Sequence, residues 1–489
     1  MRLPSRCLLK DKMSNNDAVK NNISEFLKSS GILVLANLVI KAVQFFLMPL
    51  YTKYLSPEEL GVNDLIVTTT GVILPLLTLA LDASFSAFYY DKGDNTKERT
   101  FNTIHAVLMI QSLIPLVLCF LSKPLSSLLF KTDQYYWGVI VAMLGLSINL
   151  LFMPYALKLR LENRMQLFSI INVIASVFML VSNIVFVVGF KLGYISLIYS
   201  HFLTNLVQLL LYWLLPKYRF EKKYVSKDYA RTLIRYGLPL VPNAVFSWIL
   251  VSCDRYMISG MCGEAEVGIY GIGMRFLTIL NIIINAVNMA YTTFAFKNKG
   301  EEYARSMYSA IFVGMSFLLM GGCFTVSVFS KDIIHVMVDP RYYSAYILIA
   351  PLLYSQTAMA CNNIAGYGIS FTKKSKYFLI PSVIAAVVNV VLNYIFVKYY
   401  ASLGAAVATM ISHIVLFVIT YCVAQKLYRV DYKVVKTAIC FFATFAIAML
   451  VVDQAILIKI AVYVVVVAVA LYAYRGEIKE AKEMFTGKK

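Results

Sequence analysis

Charged side chains are scarce in this chain, and acidic ones scarcer still. Only 15% of its 489 residues are Asp, Glu, Lys or Arg, with 26 acidic residues against 45 basic ones. A soluble domain carries about 25% charge, so the 60% hydrophobic content read here points to a polytopic membrane protein. The eight cysteines are dispersed with no C-x-x-C, and the four histidines (His105, His201, His335, His413) are scattered. Neither a disulfide framework nor a metal site is indicated, and no cofactor is expected. No Ser/His/Asp set or carboxylate pair is legible, and Gly271-Ile272-Gly273 lacks the preceding strand and third glycine of a dinucleotide loop. Nothing in the chain argues for an enzyme. The first 28 residues have no apolar core, so a cleavable signal peptide is not expected there.

What the chain does have is apolar runs. About fourteen of them are long enough to cross a bilayer, which takes about 20 residues. They span 30–51, 64–86, 102–121, 137–156, 168–190, 193–215, 238–259, 267–293, 307–329, 344–369, 377–397, 402–425, 434–452 and 455–474. The segments between them are too short for a soluble domain. Of the 45 Lys and Arg residues, 34 fall in the two terminal tails and in alternate loops, seven of them between Lys217 and Arg235. Basic residues gather on cytoplasmic loops. The net charge of +19 is therefore read as a topology signal with both termini cytoplasmic, and no nucleic acid partner is expected.

An internal repeat organises the runs. A shift of 207 residues lays Glu59-Leu60-Gly61-Val62 on Glu266-Val267-Gly268-Ile269. A shift of 210 lays Val173–Val187 on Val383–Val397 with seven identities, Asn183 on Asn393 among them. The expected architecture is all-α, with two six-helix lobes (30–216 and 237–427) and an appended pair of helices (428–475). A basic linker (217–236) joins the lobes, with cytoplasmic tails at 1–29 and 476–489. A repeat of even helix number keeps its orientation and suits two lobes that rock about a site between them.

Ionisable residues at membrane depth cost roughly 2.5–3.5 kcal/mol each on insertion scales and by default mark function. Asn37, Lys41 and Gln44 share one face of the first helix. Asp64, Thr68, Gly71, Pro75, Thr78 and Asp82 follow the same spacing on the second. Asn243, Ser247 and Asp254 line the seventh, with Arg255 alongside. Arg275, Thr278, Asn281, Asn285, Asn288 and Thr292 form a drifting stripe on the eighth. These stripes would converge between the lobes. In one reading Lys41, Arg275 and Arg255 bind an anion there. In the other they pair between helices, Lys41 with Asp64 or Asp82 and Arg255 with Asp254. Asp64, Asp82 and Asp254 are the carboxylates available to couple transport to an H+ or Na+ gradient.

Several segments then carry a resemblance. They are Tyr54-Leu55-Ser56-Pro57-Glu58-Glu59-Leu60-Gly61-Val62, Gly237-Leu238-Pro239-Leu240-Val241-Pro242, Asp254-Arg255-Tyr256, Glu266-Val267-Gly268-Ile269-Tyr270, and Asn389 and Asn393 followed by Gly404-Ala405-Ala406. In this order and spacing the chain resembles the polysaccharide (Wzx-type) flippases of the multidrug/oligosaccharidyl-lipid/polysaccharide exporter superfamily. The resemblance implies a MATE-like bundle in the bacterial cytoplasmic membrane. Such a bundle moves an undecaprenyl-diphosphate-linked oligosaccharide outward, for O-antigen, capsule or exopolysaccharide. The cavity cations would hold the diphosphate and the Asn, Thr, Ser and Gln side chains the glycan. Membrane lipids, a polymerase and glycosyltransferases are the expected neighbours. One departure is Ala87, which precedes Phe88-Tyr89 where relatives often place Arg. Rival readings are a multidrug or organic-cation antiporter, which would want acidic residues in its cavity, and a lipid II flippase, whose first two helices would hold more cations. A membrane glycosyltransferase would need larger loops or acidic catalytic residues.

Overall fold

The computed structural model describes residues 45, 47–91, 93–215, 219–297, 302–372 and 375–477. Lys41, Asn37 and Gln44 lie outside the described residues, as do the side chains of Asn243 and Ser247. Every regular element described is a helix. Those before the lobe linker are α1 (Met48–Tyr54), α2 (Pro57–Thr78), α3 (Leu81–Phe88), α4 (Thr96–Gln111), α5 (Leu113–Leu118), α6 (Ser122–Phe130), α7 (Tyr136–Leu161), α8 (Met165–Ile184) and α9 (Ile195–Trp213). The linker forms α10 (Lys227–Gly237). The second lobe holds α11 (Val241–Cys262), α12 (Glu264–Lys297), α13 (Glu302–Val328), α14 (Ser330–Met337), α15 (Tyr346–Ala365), α16 (Tyr367–Ser370) and α17 (Leu379–Leu427), and α18 (Val434–Val451) and α19 (Ile456–Ala473) follow it.

Among the described residues, eleven helices are long and apolar enough to cross a membrane, against about fourteen expected. The differences are specific. The first expected span lies almost wholly outside the described residues. The helix α11, with Asp254 and Arg255 in it, is not among the eleven. The runs 377–397 and 402–425 form one helical stretch, α17, broken at Ala401 (φ 47°, ψ −132°). Conversely, the run expected over 64–86 is two helices, because Leu79 and Ala80 both adopt left-handed backbone (φ 50° and 52°). This break parts Asp82, exposed on α3, from the stripe on α2. The linker, expected as a basic loop, is partly folded. Helix α10 is capped by Ser226 Oγ, which accepts from Tyr229 N, and buries Leu233 while Arg231 and Arg235 face outward. It docks on the first lobe, where Ser84 Oγ donates to the Leu233 carbonyl at 2.8 Å and Phe88 meets the rings of Tyr229 and Tyr236 edge-on.

The duplicated corner is where the lobes meet. Helix α2 opens on a capping box, with Ser56 N donating to Glu59 Oε2 (2.8 Å) and Glu59 N to Ser56 Oγ (3.1 Å); two orphan donors of the first turn are thereby satisfied. One turn on, a Cβ at Gly61 would lie 1.8 Å from the Glu264 carbonyl oxygen, and one at Gly268 would lie 1.9 Å from that of Pro57. The two helices cross backbone on backbone, each copy's glycine against the other copy's first turn. Around this crossing the same end of the bundle is sealed. Tyr342 Oη donates to the Leu55 carbonyl (3.0 Å), and Arg341 Nη2 donates to that of Thr52 (3.0 Å).

The repeat also reappears inside each lobe. Asn183 on α8 donates to Tyr51 Oη at 2.8 Å. In the second copy, Cys253 Sγ on α11 lies 3.3 Å from Asn389 Oδ1 on α17, and Asn389 in turn accepts from Asn393 Nδ2 (3.1 Å). In both lobes an amide on the fifth helix of the copy ties to its first. A buried polar group without such a partner would cost about 1–3 kcal/mol.

Candidate functional site

Below the sealed corner, α1, α2, α8, α9 and α12 enclose a cavity of about 220 Å³, whose walls include Tyr51, Asn63, Asp64, His201, Arg275 and Thr278. The charges are placed by local sequence. Asp64 stands two turns into α2. Its carboxylate fits against the backbone of α12 at Gly271, where a Cβ would meet Asp64 Oδ2 at 2.1 Å. Asn63 Nδ2 donates to Asp64 Oδ1 (3.2 Å). One turn after Gly271, on the same face, comes Arg275. Its guanidinium lies 5.1 Å from the Tyr51 ring, within cation–π range. Its Nη1 is buried and has no hydrogen-bond partner among the described residues.

A second charged pair adjoins the first. Asp254 is 2% exposed. It accepts from the Arg255 backbone N (2.9 Å) and from Tyr270 Oη, and it pairs with Arg255 Nη1 at 3.7 Å. The Asp64 carboxylate lies in the field of both Arg275 and Arg255. The charges thus run from Arg275 through Asp64 and Arg255 to Asp254, crossing the lobe interface at Gly271. Among the described residues, two cations face two carboxylates in this network. Among the described residues, Arg275 Nη1 keeps an unused donor at the cavity wall.

The other sequence candidates fall in several places. Thr68 Oγ1 donates to its own helix at the Asp64 carbonyl (2.6 Å). On α12, Asn281 is half-buried and Asn285 exposed. Asn288 Oδ1 is buried without a hydrogen-bond partner among the described residues, and its carbonyl accepts from Thr292 Oγ1 (2.6 Å). Of this stripe, Arg275 and Thr278 reach the cavity wall. His413 is a buried packing residue, with Nδ1 3.1 Å from the Ser355 carbonyl, and His105 sits among the rings of Phe101, Tyr155 and Phe220.

Sequence reading missed a second compartment. A hollow of about 370 Å³ in the first lobe, between α2, α7 and α9, is lined by Thr70, Gly71, Asn149, His201, Phe202 and Asn205 among others. It shares Val67 and His201 with the charged cavity. Asn205 Nδ2 donates to the Gly145 carbonyl (3.0 Å). From the second lobe, Trp248 Nε1 comes within 3.5 Å of where a Gly71 Cβ would be. The Asn149 and Asn205 amides, the Thr70 hydroxyl, the His201 imidazole and the Phe202 ring share this otherwise largely apolar hollow.

A family model described as "Polysaccharide biosynthesis protein" matches residues 50–347. The chain is 23% identical over 409 residues to Lsg locus putative protein 1 of Haemophilus influenzae, covering 79% of this chain and 92% of that protein. It is 25% identical over 223 residues to the probable low-salt glycan biosynthesis flippase Agl15 of Haloferax volcanii, covering 44% of this chain and 46% of that one. Among solved structures, the lipid II flippase MurJ in an inward closed conformation superposes with a TM-score of 0.71 at 16% identity, covering 91% of this chain and 99% of that one. An inward-facing multidrug resistance MATE family transporter of the MOP superfamily gives 0.57 at 16% identity, covering 80% and 97%. The fold is that of the MOP transporters: an all-α, multi-pass bundle of two lobes.

Proposed function

The chain belongs to the polysaccharide biosynthesis protein family, and from that premise we propose that it flips an undecaprenyl-diphosphate-linked oligosaccharide from the cytoplasmic to the outer leaflet. On this reading the basic end of the bundle is cytoplasmic, the sealed corner faces outward, and the membrane is the bacterial cytoplasmic one. The observation that carries it is Arg275, whose buried Nη1 has no hydrogen-bond partner among the described residues and stands beside a cavity between the lobes. An arginine so placed suits a phosphate oxygen, the acceptor its fork matches best. The amide-lined hollow next to it is the complement for the first sugars. The cavity volume of about 220 Å³ falls below the range of about 300–1,000 Å³ usual for ligand sites. The lobes therefore have to part to admit a head group, and the lipid tail stays in the bilayer.

Asp64 and Asp254 are the groups that would take up a coupling H+ or Na+. A polymerase and glycosyltransferases in the same membrane would consume and supply the substrate. A cation exporter is disfavoured, because each carboxylate of the described cavity network is matched by an arginine.

The test is the sidedness of lipid-linked oligosaccharide in cells depleted of this protein and complemented with wild type or Arg275→Ala at matched membrane levels. The expected result is glycan held facing the cytoplasm, released by wild type and not by the variant. Normal outward movement in depleted cells that lack a redundant flippase would overturn the reading.

A further inference from the structure

A second feature lies away from the cavity, on helices α18 and α19. Helix α19 is poorly packed: among its residues only Lys459 is buried. It is held at its ends. Lys459 meets Asp332 of α14 at 2.5 Å. At the other end Lys436 donates to the Ala473 carbonyl (2.7 Å) and to Glu477 Oε1 (2.6 Å). Between these ties, α18 and α19 leave an apolar groove of about 960 Å³ whose walls include Ile439, Ala443, Ile447, Val465, Val469 and Ala470. The groove ends at Asp431, Lys433 and Lys436.

There it runs into a second hollow of about 430 Å³, at the basic end of the bundle, lined by Arg305, Ser306, Ser309, Arg429, Lys433 and Glu477 among others. Asp431 and Lys433 belong to both. Within the hollow, Glu477 is drawn to Lys436 and Lys433. Burial pushes its carboxyl upward, but the Lys436 hydrogen bond and the two ammonium charges outweigh that and hold it below its ordinary value. Glu477 therefore stays ionised and fixes the lysines; with Asp431 also in the wall, Arg305, Arg429 and Lys433 against two carboxylates leave the hollow with one net positive charge. Arg305 is braced against the Tyr428 ring at 5.1 Å.

We propose that this composite is a binding site for an anionic glycerophospholipid of the leaflet facing the basic end. Its phosphate sits in the Arg305–Arg429–Lys433 hollow, and an acyl chain lies in the α18–α19 groove. Basic pockets between transmembrane helices recognise anionic head groups in this way. The apolar groove selects a lipid over a free anion. The site shares no lining residue with the charged cavity, and on this proposal the lipid held here is structural rather than transported. It cements a helix that the protein itself barely packs.

The test is titration of the purified full-length chain by native mass spectrometry, with phosphatidylglycerol, phosphatidylcholine, undecaprenyl phosphate and inorganic phosphate as probes. Phosphatidylglycerol is expected to bind one per chain in clear preference to phosphatidylcholine. Arg305→Gln and Arg429→Gln should each weaken it roughly fivefold, while Arg429→Lys should keep most of the affinity. Ala443→Trp, which fills the groove, should weaken it with the cations intact. Arg275→Ala should leave it unchanged, so this result is independent of the transport reading. The proposal is overturned by equal binding of the two phospholipids, or by wild-type binding in both the glutamine and tryptophan variants. Displacement by inorganic phosphate would mark a free-anion site, and tighter binding of undecaprenyl phosphate would give the groove to the carrier lipid. Either outcome also overturns it. Variants are compared only as monodisperse, lipid-titratable protein, and Arg429→Lys separates loss of charge from loss of fold.

Discussion

Gly61 and Gly268 each press on the other lobe's backbone, their missing Cβ atoms falling 1.8 Å and 1.9 Å from the carbonyl oxygens of Glu264 and Pro57. No side chain intervenes, so neither position can grow without moving a helix. Gly61→Ala or Gly268→Ala should therefore raise the free energy of the sealed arrangement by about 1–3 kcal/mol, the usual cost of overpacking. A shift of that size tips a two-state balance by one to two orders of magnitude. Thr278→Cys, placed in the cavity wall, gives the readout: its labelling by an impermeant thiol reagent from the corner side should rise sharply in either glycine variant. Unchanged labelling would mean that the crossing is not the gate.

Arg275 and Asp64 make a second testable relationship across the same interface. If Arg275 Nη1 awaits a phosphate oxygen, Arg275→Gln should weaken binding of undecaprenyl diphosphate by about tenfold or more, the loss of one charged hydrogen bond of about 1.5–3 kcal/mol. Asp64→Asn works the other way. It removes the carboxylate that competes for Arg275, so the diphosphate should bind more tightly while its release, and hence transport, slows. Weakened binding in Asp64→Asn would show that the carboxylate positions Arg275 rather than competing with the ligand.

The charged positions were legible in the sequence because each is costly inside an apolar run. Asp64, Asp254, Arg255 and Arg275 stood out for that reason, and the Glu/Gly corner stood out because it occurs twice. How they are joined was not legible. Gly271 reads in the sequence only as part of a Gly-Ile-Gly that is no dinucleotide loop, until α2 is laid across α12, where it admits the Asp64 carboxylate. Asn149, His201 and Asn205 are single polar residues on three separate helical turns, and only the packing of α7 and α9 brings them around one hollow. The break at Leu79–Ala80 has no glycine or proline at the break itself, and Pro75 lies four residues before it. Gly237, at the end of the linker helix, packs against it, where a Cβ would lie 2.3 Å from the Leu79 carbonyl oxygen.

At the corner end, Lys459 and Asp332 are unequal partners. The Lys459 side chain is 1% exposed and that of Asp332 43%. Removing the carboxylate strands a buried ammonium, whereas removing the lysine frees a carboxylate that already meets water. Asp332→Ala should cost about 3 kcal/mol, the lower end of the range for breaking a buried pair, while Lys459→Met should be close to neutral. Melting temperatures of the two variants in one detergent check this, and equal losses would refute the asymmetry.

A nearby pair predicts the acid limb of stability. Asp453, between α18 and α19, accepts from Lys331 Nζ (2.7 Å) and Tyr346 Oη (2.9 Å). These hydrogen bonds hold its carboxyl below the ordinary 3.8. A carboxylate whose pKa is lower in the folded state stabilises the fold fully above its unfolded value. That contribution is lost as the pH falls through the folded value. Asp453 is 53% exposed, so water screens the pair and keeps the effect small. Thermal stability should be insensitive to this pair from neutral pH down to about pH 5 and should lose its contribution below about pH 4. Asp453→Asn removes the titration, so its melting temperature should start slightly lower at neutral pH and fall less steeply in acid. Parallel acid limbs for wild type and variant would assign the acid loss to other carboxylates.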